Sequence, residues 1–265
     1  MDKTTVIGII TAVIAIGAGM VLKGANLSAL VTNPAAWLII IFGTIASVLV
    51  AFPTNEIKRV PKLFKIIFTE QKLVDSTELI RMFSEWAQLA RKEGLLALEA
   101  KTSEIEDEFL KNGLTLAVDG QSADYIRDVL SEELDSMEER HAIGAAIFSQ
   151  AGTYAPTLGV LGAVIGLIAA LGNMNDIDVL GHAISAAFVA TLLGIFTGYV
   201  LWHPFANKLR RKSKQEIQQR EMMIEGILSI LEGEAPRVIE QKLASYLPDG
   251  ERKKFIEESV VKKDE

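Results

Sequence analysis

The chain of 265 residues is 49% hydrophobic and 23% charged, with a positive mean hydropathy and a net charge of −7. This mixture excludes an ordinary soluble globule and fits a membrane protein with a sizeable water-exposed part; the acidity, and the lack of basic stretches interleaved with aromatics, exclude a nucleic-acid binder. No cysteine is present, and His141, His182 and His203 lie on separate segments without ligand spacing, so no metal centre and no other cofactor is expected.

Thr5 to Leu22 is the first apolar run. It follows a single basic residue, exceeds the ~7–15 residues of a signal core and lacks a small-x-small site, so it reads as a membrane span, a cleaved signal peptide being the alternative. Asn33-Pro34 opens a second span, Ala35 to Phe52, with Asn33 as cap and Trp37 at the interface; Pro53 ends it. From Thr54 to about Arg140 the chain is polar and amphipathic. Lys58 to Phe68 interleaves basic and bulky apolar residues and is expected to lie along the lipid headgroups. Asp75-Ser-Thr-Glu78 has the form of a helix start, with Leu79, Met82, Phe83, Trp86, Leu89 and Ala90 on the apolar face that follows. Leu95 to Leu110 predicts another helix, stopped by Asn112-Gly113, and Ser122 to Arg140 a fourth, with Tyr125, Ile126, Val129, Leu130 and Leu134 on its apolar side.

The next helix is expected from about Ile143 to Leu171. Its part from Ala151 is uncharged, long enough to span ~20 apolar residues of bilayer core, and holds Pro156 together with Gly159, Gly162, Ala163 and Gly166. Glycines at this spacing let helix backbones approach where water supplies no driving force. Pro156 removes one backbone hydrogen bond, leaving a carbonyl near residue 152 to find another partner. A turn over residues 172–178 leads to the fourth span, Leu180 to Leu201, with a ladder of Ala183, Ala186, Ala187, Ala190, Gly194 and Gly198. Tyr199 and Trp202 mark its exit, Pro204 follows, and Lys208, Arg210, Arg211, Lys212 and Lys214 come next. An amphipathic helix to Glu232, a short helix entered through Pro236 and a charged tail after Pro248-Asp249-Gly250 complete the chain.

Basic residues flank the second and fourth spans on one side, whereas the opposite loops carry only Lys23, Asp176 and Asp178, so both large segments and both termini are expected in the cytoplasm. The predicted fold is all-α: a polytopic membrane protein with four spans and a large helical cytoplasmic domain. Its parts are residues 1–53 and 141–203 in the membrane, and 54–140 and 204–265 in water. The spans hold no acid, the usual mark of a proton path. They offer hydroxyls instead: Thr153, Tyr154, Thr157, Ser185, Thr191 and Thr197. For Ser185 and Thr197, bonding back to their own helix is the favoured reading; for Thr153, Thr157 and Thr191 it stands level with a place in an ion path. If protons move here, the titrating group must come from another chain.

Four segments carry a resemblance: Ala155-Pro-Thr-Leu-Gly-Val-Leu-Gly-Ala-Val-Ile-Gly-Leu167, Phe188-Val-Ala-Thr-Leu-Leu-Gly194, Trp202-His-Pro-Phe-Ala-Asn-Lys-Leu209 and Arg91-Lys-Glu-Gly-Leu-Leu-Ala-Leu-Glu99. In this order they resemble the MotA family of flagellar stator subunits, over nearly the whole chain. The first alone is shared with the ExbB and TolQ energisers, which have three spans and lack the arginine-to-glutamate segment. The resemblance implies a pentamer around two copies of MotB, whose membrane aspartate would be the missing acid, and a proton flow that turns the rotor through FliG. It implies that Pro156 and Pro204 couple ion flow to motion and that Arg91 and Glu99 meet FliG through complementary charge. Trp86 and Leu98 are expected in the core instead. Sodium-driven relatives place threonines where this chain has Ala163 and Ala190, with only Thr191 remaining nearby. Sodium needs several oxygen ligands, so the ion is expected to be a proton. A sodium-driven stator and an ExbB/TolQ-type energiser are the alternatives; no nucleophile, phosphate loop or metal spacing suggests an enzyme.

Overall fold

A computed structural model describes residues 2–71, 73–172 and 176–261; the tip of the predicted turn at residues 173–175 lies outside the described residues. Among the described residues all regular structure is helical. The longer helices are α1 (Lys3–Leu22), α2 (Pro34–Ala51), α3 (Val60–Phe68), α4 (Ser76–Glu93), α5 (Glu108–Val118), α6 (Ala123–Leu171), α7 (Ile177–Leu231), α8 (Pro236–Leu243) and α9 (Asp249–Val261). Four of them, α1, α2, α6 and α7, are long and apolar enough to cross a membrane. The chain divides into two units: Met1–Gln71 with Arg140–Lys212, and Lys72–Glu139 with Ser213–Glu265.

In the membrane unit, Asn33 caps α2 as expected and its amide also donates to the Ala186 carbonyl at 3.0 Å, tying α2 to α7. The indole of Trp37 donates to Leu30 O at 2.7 Å. Two wide, π-helical turns interrupt the regular ladder, at Leu38–Phe42 in α2 and Thr197–Trp202 in α7. The second lies just before Pro204, which has no N–H to give. The helix does not end with the predicted span at Leu201: it passes through the widened turn and Pro204 and continues to Leu231.

Helix α3 departs from the headgroup expectation in one respect. Its apolar face is used inside the protein: Ile67 is fully buried, and Phe64 packs edge-on against Phe148 (5.1 Å) and Phe205 (6.2 Å). Lys58, Arg59, Lys62 and Lys65 remain exposed. Burial of Ile67 alone is worth roughly 1.5–3 kcal/mol. The ammonium of Lys212 closes the C-terminal end of α3 by donating to Ile66 O (2.7 Å) and to Thr69 O.

Beside it, Asp2 clasps three elements. Its carboxylate caps α1, pairs with Lys208 at 2.7 Å and lies 3.6 Å from Lys212, and its N–H donates to Phe68 O. The hydrogen bond from Lys208 holds the Asp2 carboxyl well below its ordinary range against the opposing pull of burial. A depressed acid stabilises the fold above its unfolded value, and the gain fades as pH falls through the folded value. We therefore expect Asp2→Asn to lower the melting temperature of the purified complex by a similar amount at pH 6 and pH 8; the gap closes only in strong acid. A gap that closed between pH 8 and pH 6 would refute this account.

In the second unit, Leu79, Ile80, Phe83, Trp86 and Ala87 of α4 pack with Ile126 and Leu130 of α6 and Met222, Ile227 and Leu228 of α7 around one apolar core. Three sequence expectations change here. The predicted helix over residues 95–110 is broken: Leu95–Leu98 is a 3-10 turn, Glu99–Thr102 a single α-turn, and α5 starts afresh with Asp107 accepting from Leu110 N at 2.9 Å. Gly113 stops nothing, because it lies within α5, where a Cβ would stand 2.5 Å from Ile227 Cδ1 and 2.8 Å from Leu130 Cδ1. Tyr125 leaves the apolar side and is half exposed. Lys242 donates to Glu225 and to Ser229 Oγ (3.1 Å) and lies 3.5 Å from Glu234; although burial pulls its pKa down, these carboxylates raise it overall. The sequence assigns 11 basic and 5 acidic residues to the membrane unit, against 16 basic and 29 acidic to the other.

Candidate functional site

The site is built where α6 and α7 touch without side chains between them. A Cβ on Gly159 would lie 2.8 Å from Ala190 O and 2.9 Å from Gly194 Cα. From the other side, a Cβ on Gly194 would lie 2.8 Å from both Ala155 O and Gly159 Cα. Cα hydrogens therefore fill the seam and point at carbonyl oxygens, small contacts of ~0.5–1 kcal/mol each that add along the seam. One helical turn along, Pro156 sits inside α6 and leaves Gly152 O without its helical donor. A Cβ on Gly198 would lie 2.8 Å from that oxygen and 2.8 Å from Pro156 Cγ.

The remaining predicted residues divide by position. Ala163 and Ala190 are buried, and Gly162 makes ordinary contact with Ile39 and, at 3.8 Å, with Ala190 Cβ. Gly166 stands apart from them: nothing lies within 4 Å of its Cβ position. Thr191 is half-buried and donates to Ala187 O at 3.2 Å. Thr153 and Thr157 are exposed on the outer face of α6, with Val160 and Val164 further along it. Thr153 donates to Ser149 O (3.1 Å) and Thr157 to Tyr154 O (2.8 Å), while buried Thr197 donates to Leu193 O (2.9 Å). These hydroxyls bond back to their own helices, and their oxygens can still accept from a guest. Pro204 is exposed just past the wide turn. The acids Asp176 and Asp178 stand at the opposite end, at the start of α7, where Asp176 caps the helix. Among the described residues no group of three histidines or acids could hold a metal. Sequence reasoning placed a freed carbonyl near residue 152 and Gly198 on the small-residue ladder, but missed that the two meet and that His203 stands against Gly152. A glycine four residues before Pro156 was the available signal.

In the other unit, Arg91 lies in the last turn of α4, Gly94 reverses the chain with φ +87°, and Glu99 opens the short turn that follows. Arg91, Glu99 and the intervening Leu96 are exposed, whereas Trp86 and Leu98 are buried in the core.

Comparison with known proteins gives this geometry a context. The family described as Motility protein A N-terminal matches residues 6–94, and the MotA/TolQ/ExbB proton channel family matches residues 101–222. Motility protein A of Bacillus subtilis is 68% identical over 265 residues, covering 100% of this chain and 98% of the relative. The chain belongs to the motility protein A family. Two solved structures of family complexes have the same fold. The flagellar MotAB stator complex from Bacillus subtilis superposes with a TM-score of 0.91 at 70% identity, covering 96% of this chain and 99% of that one. The MotAB of C. jejuni gives 0.89 at 34% identity, with 94% and 97% covered. As in the motility protein A family at large, the fold is all-α with four membrane helices, and the relatives are stator and channel proteins, not enzymes.

Proposed function

We propose that this chain is the A subunit of a proton-driven flagellar stator and that the α6/α7 seam is one wall of its ion path, the titrating acid being supplied by MotB. The observation that carries the reading is the combination of a proline-bearing, glycine-seamed helix pair with the absence of any acid along the spanning parts of α6 and α7. The family assignment supports it. On this reading Thr153 and Thr157 face the partner helix, Pro156 and Pro204 couple ion passage to movement, Thr191 flanks the path, and Ala163 and Ala190 leave no hydroxyls there for sodium. Five A subunits surround two of MotB in the inner membrane, the charged unit lies in the cytoplasm with both termini, and Arg91 and Glu99 engage FliG. One charge falling through 100 mV releases only ~2.3 kcal/mol, so torque accumulates from many small steps.

Deleting the gene tests the assignment: cells should assemble normal filaments and fail to swim. Restored cells should swim in sodium-free medium and stop with a protonophore. Swimming that depends on sodium would overturn the choice of ion, and loss of filaments would overturn the stator role itself.

A further inference from the structure

We propose that Gly198 is a positioning residue for coupling: it seats the proline-bearing turn of α6 against the wide turn of α7, so that the two proline-bearing segments move together. The inference rests on the reading above that Pro156 belongs to the coupling path. Three contacts support it. The Gly152 carbonyl, deprived of its donor by Pro156, faces Gly198 so closely that a Cβ there would lie 2.8 Å from the oxygen and 2.8 and 2.9 Å from Cγ and Cδ of the proline ring. Glycine alone leaves room for the ring and still offers the oxygen a Cα–H.

The same Gly152 carries the imidazole of His203: a Cβ on Gly152 would lie 2.8 Å from His203 Cδ2 and Cγ and 2.9 Å from Nδ1. His203 immediately precedes Pro204, and its ring centroid is 5.3 Å from that of Tyr199. Finally, Gly198 and His203 are joined by the bond that defines the wide turn, His203 N–H to Gly198 O. Gly152 is thus held against both ends of one wide turn, the kind of irregularity at which helices change direction. A movement of α6 at Pro156 that displaces Gly152 presses on Gly198 and His203, which both stand against it. Nothing in this arrangement requires an ion to touch Gly198.

The experiment uses the full stator complex with its MotB partner. It reads torque per stator from tethered cells, stator number from a fluorescent tag, and the melting temperature of the purified complex. Gly198→Ala should lower the melting temperature by several degrees and at least halve the torque per stator. Adding Pro156→Ala removes the two ring contacts but leaves the one to Gly152 O, so the double variant should recover part of the melting temperature that Gly198→Ala loses. Gly194→Ala is equally tight against Ala155 O but away from the ring; its loss should not be rescued by Pro156→Ala. If Gly198→Ala leaves too little complex to count, recovery of its level by Pro156→Ala supports the proposal and failure to recover overturns it. Unchanged torque in Gly198→Ala beside a paralysed Pro156→Ala overturns the role of Gly198 only, whereas normal swimming of Pro156→Ala overturns the coupling reading beneath it as well.

Discussion

Gly194→Leu should abolish swimming while leaving filaments in place. The position opposes backbone, not side chain: a Cβ already meets Ala155 O and Gly159 Cα at 2.8 Å, and a further three carbons have nowhere to go. A flexible neighbour could swing aside, but two helix backbones can only separate. Overpacking of this kind costs ~1–3 kcal/mol where side chains can adjust and more where they cannot. Separation would also break the Cα–H contacts on both sides of Gly159 and pull Ala190 from Gly162. Membrane levels of the variant and of its partner, measured by immunoblot beside swimming on soft agar, check the claim. Gly166→Leu is the matched comparison, because a Cβ there has nothing within 4 Å. If Gly194→Leu swims, the seam is looser than described.

Reversing Arg91 to Glu should cripple torque without touching the fold. Arg91 is exposed at the end of α4, so the change is worth within about ±0.5 kcal/mol of stability, and the melting temperature should stay where it was. Electrostatic contacts at a working surface set the rate of productive encounter more than the tightness of grip. Torque should therefore fall several-fold at unchanged stator number, and Glu99→Arg should act the same way. A compensating reversal on FliG should restore part of the loss. Arg91→Glu cells that swim normally, or a variant that melts early, would remove Arg91 from the rotor contact.

Much of this molecule was legible in its sequence because the signals were local. A run of apolar residues forces a span wherever it occurs, and Pro156 with Gly159 and Gly194 announces a close helix contact by residue type alone. Signals failed where distant chain decided. Arg140 looked like a helix end because composition changes there, yet no proline follows until Pro156 and one helix runs from Ala123 to Leu171, lacking only the bond that Pro156 cannot give. Gly113 looked like a stop until Ile227, more than a hundred residues away, was found against it. The same holds for Asp2, whose partners Lys208 and Lys212 sit at the other end of the chain, and for Gly198, whose purpose is set by a proline on another helix. In the charged turn, nothing local distinguished Arg91 and Glu99 from Lys92 and Glu93.

The uneven sharing of charge between the two units has a consequence for how each meets a bilayer. Acidic headgroups attract nearby lysines and arginines by ~1 kcal/mol apiece and repel carboxylates within a Debye length. Lys58, Arg59, Lys62 and Lys65 thus favour an anionic leaflet, while the 29 acids of the other unit disfavour it. Anionic lipid therefore repels the second unit on balance, and on the proposed reading its surface stays available for a protein whose own charges are opposite.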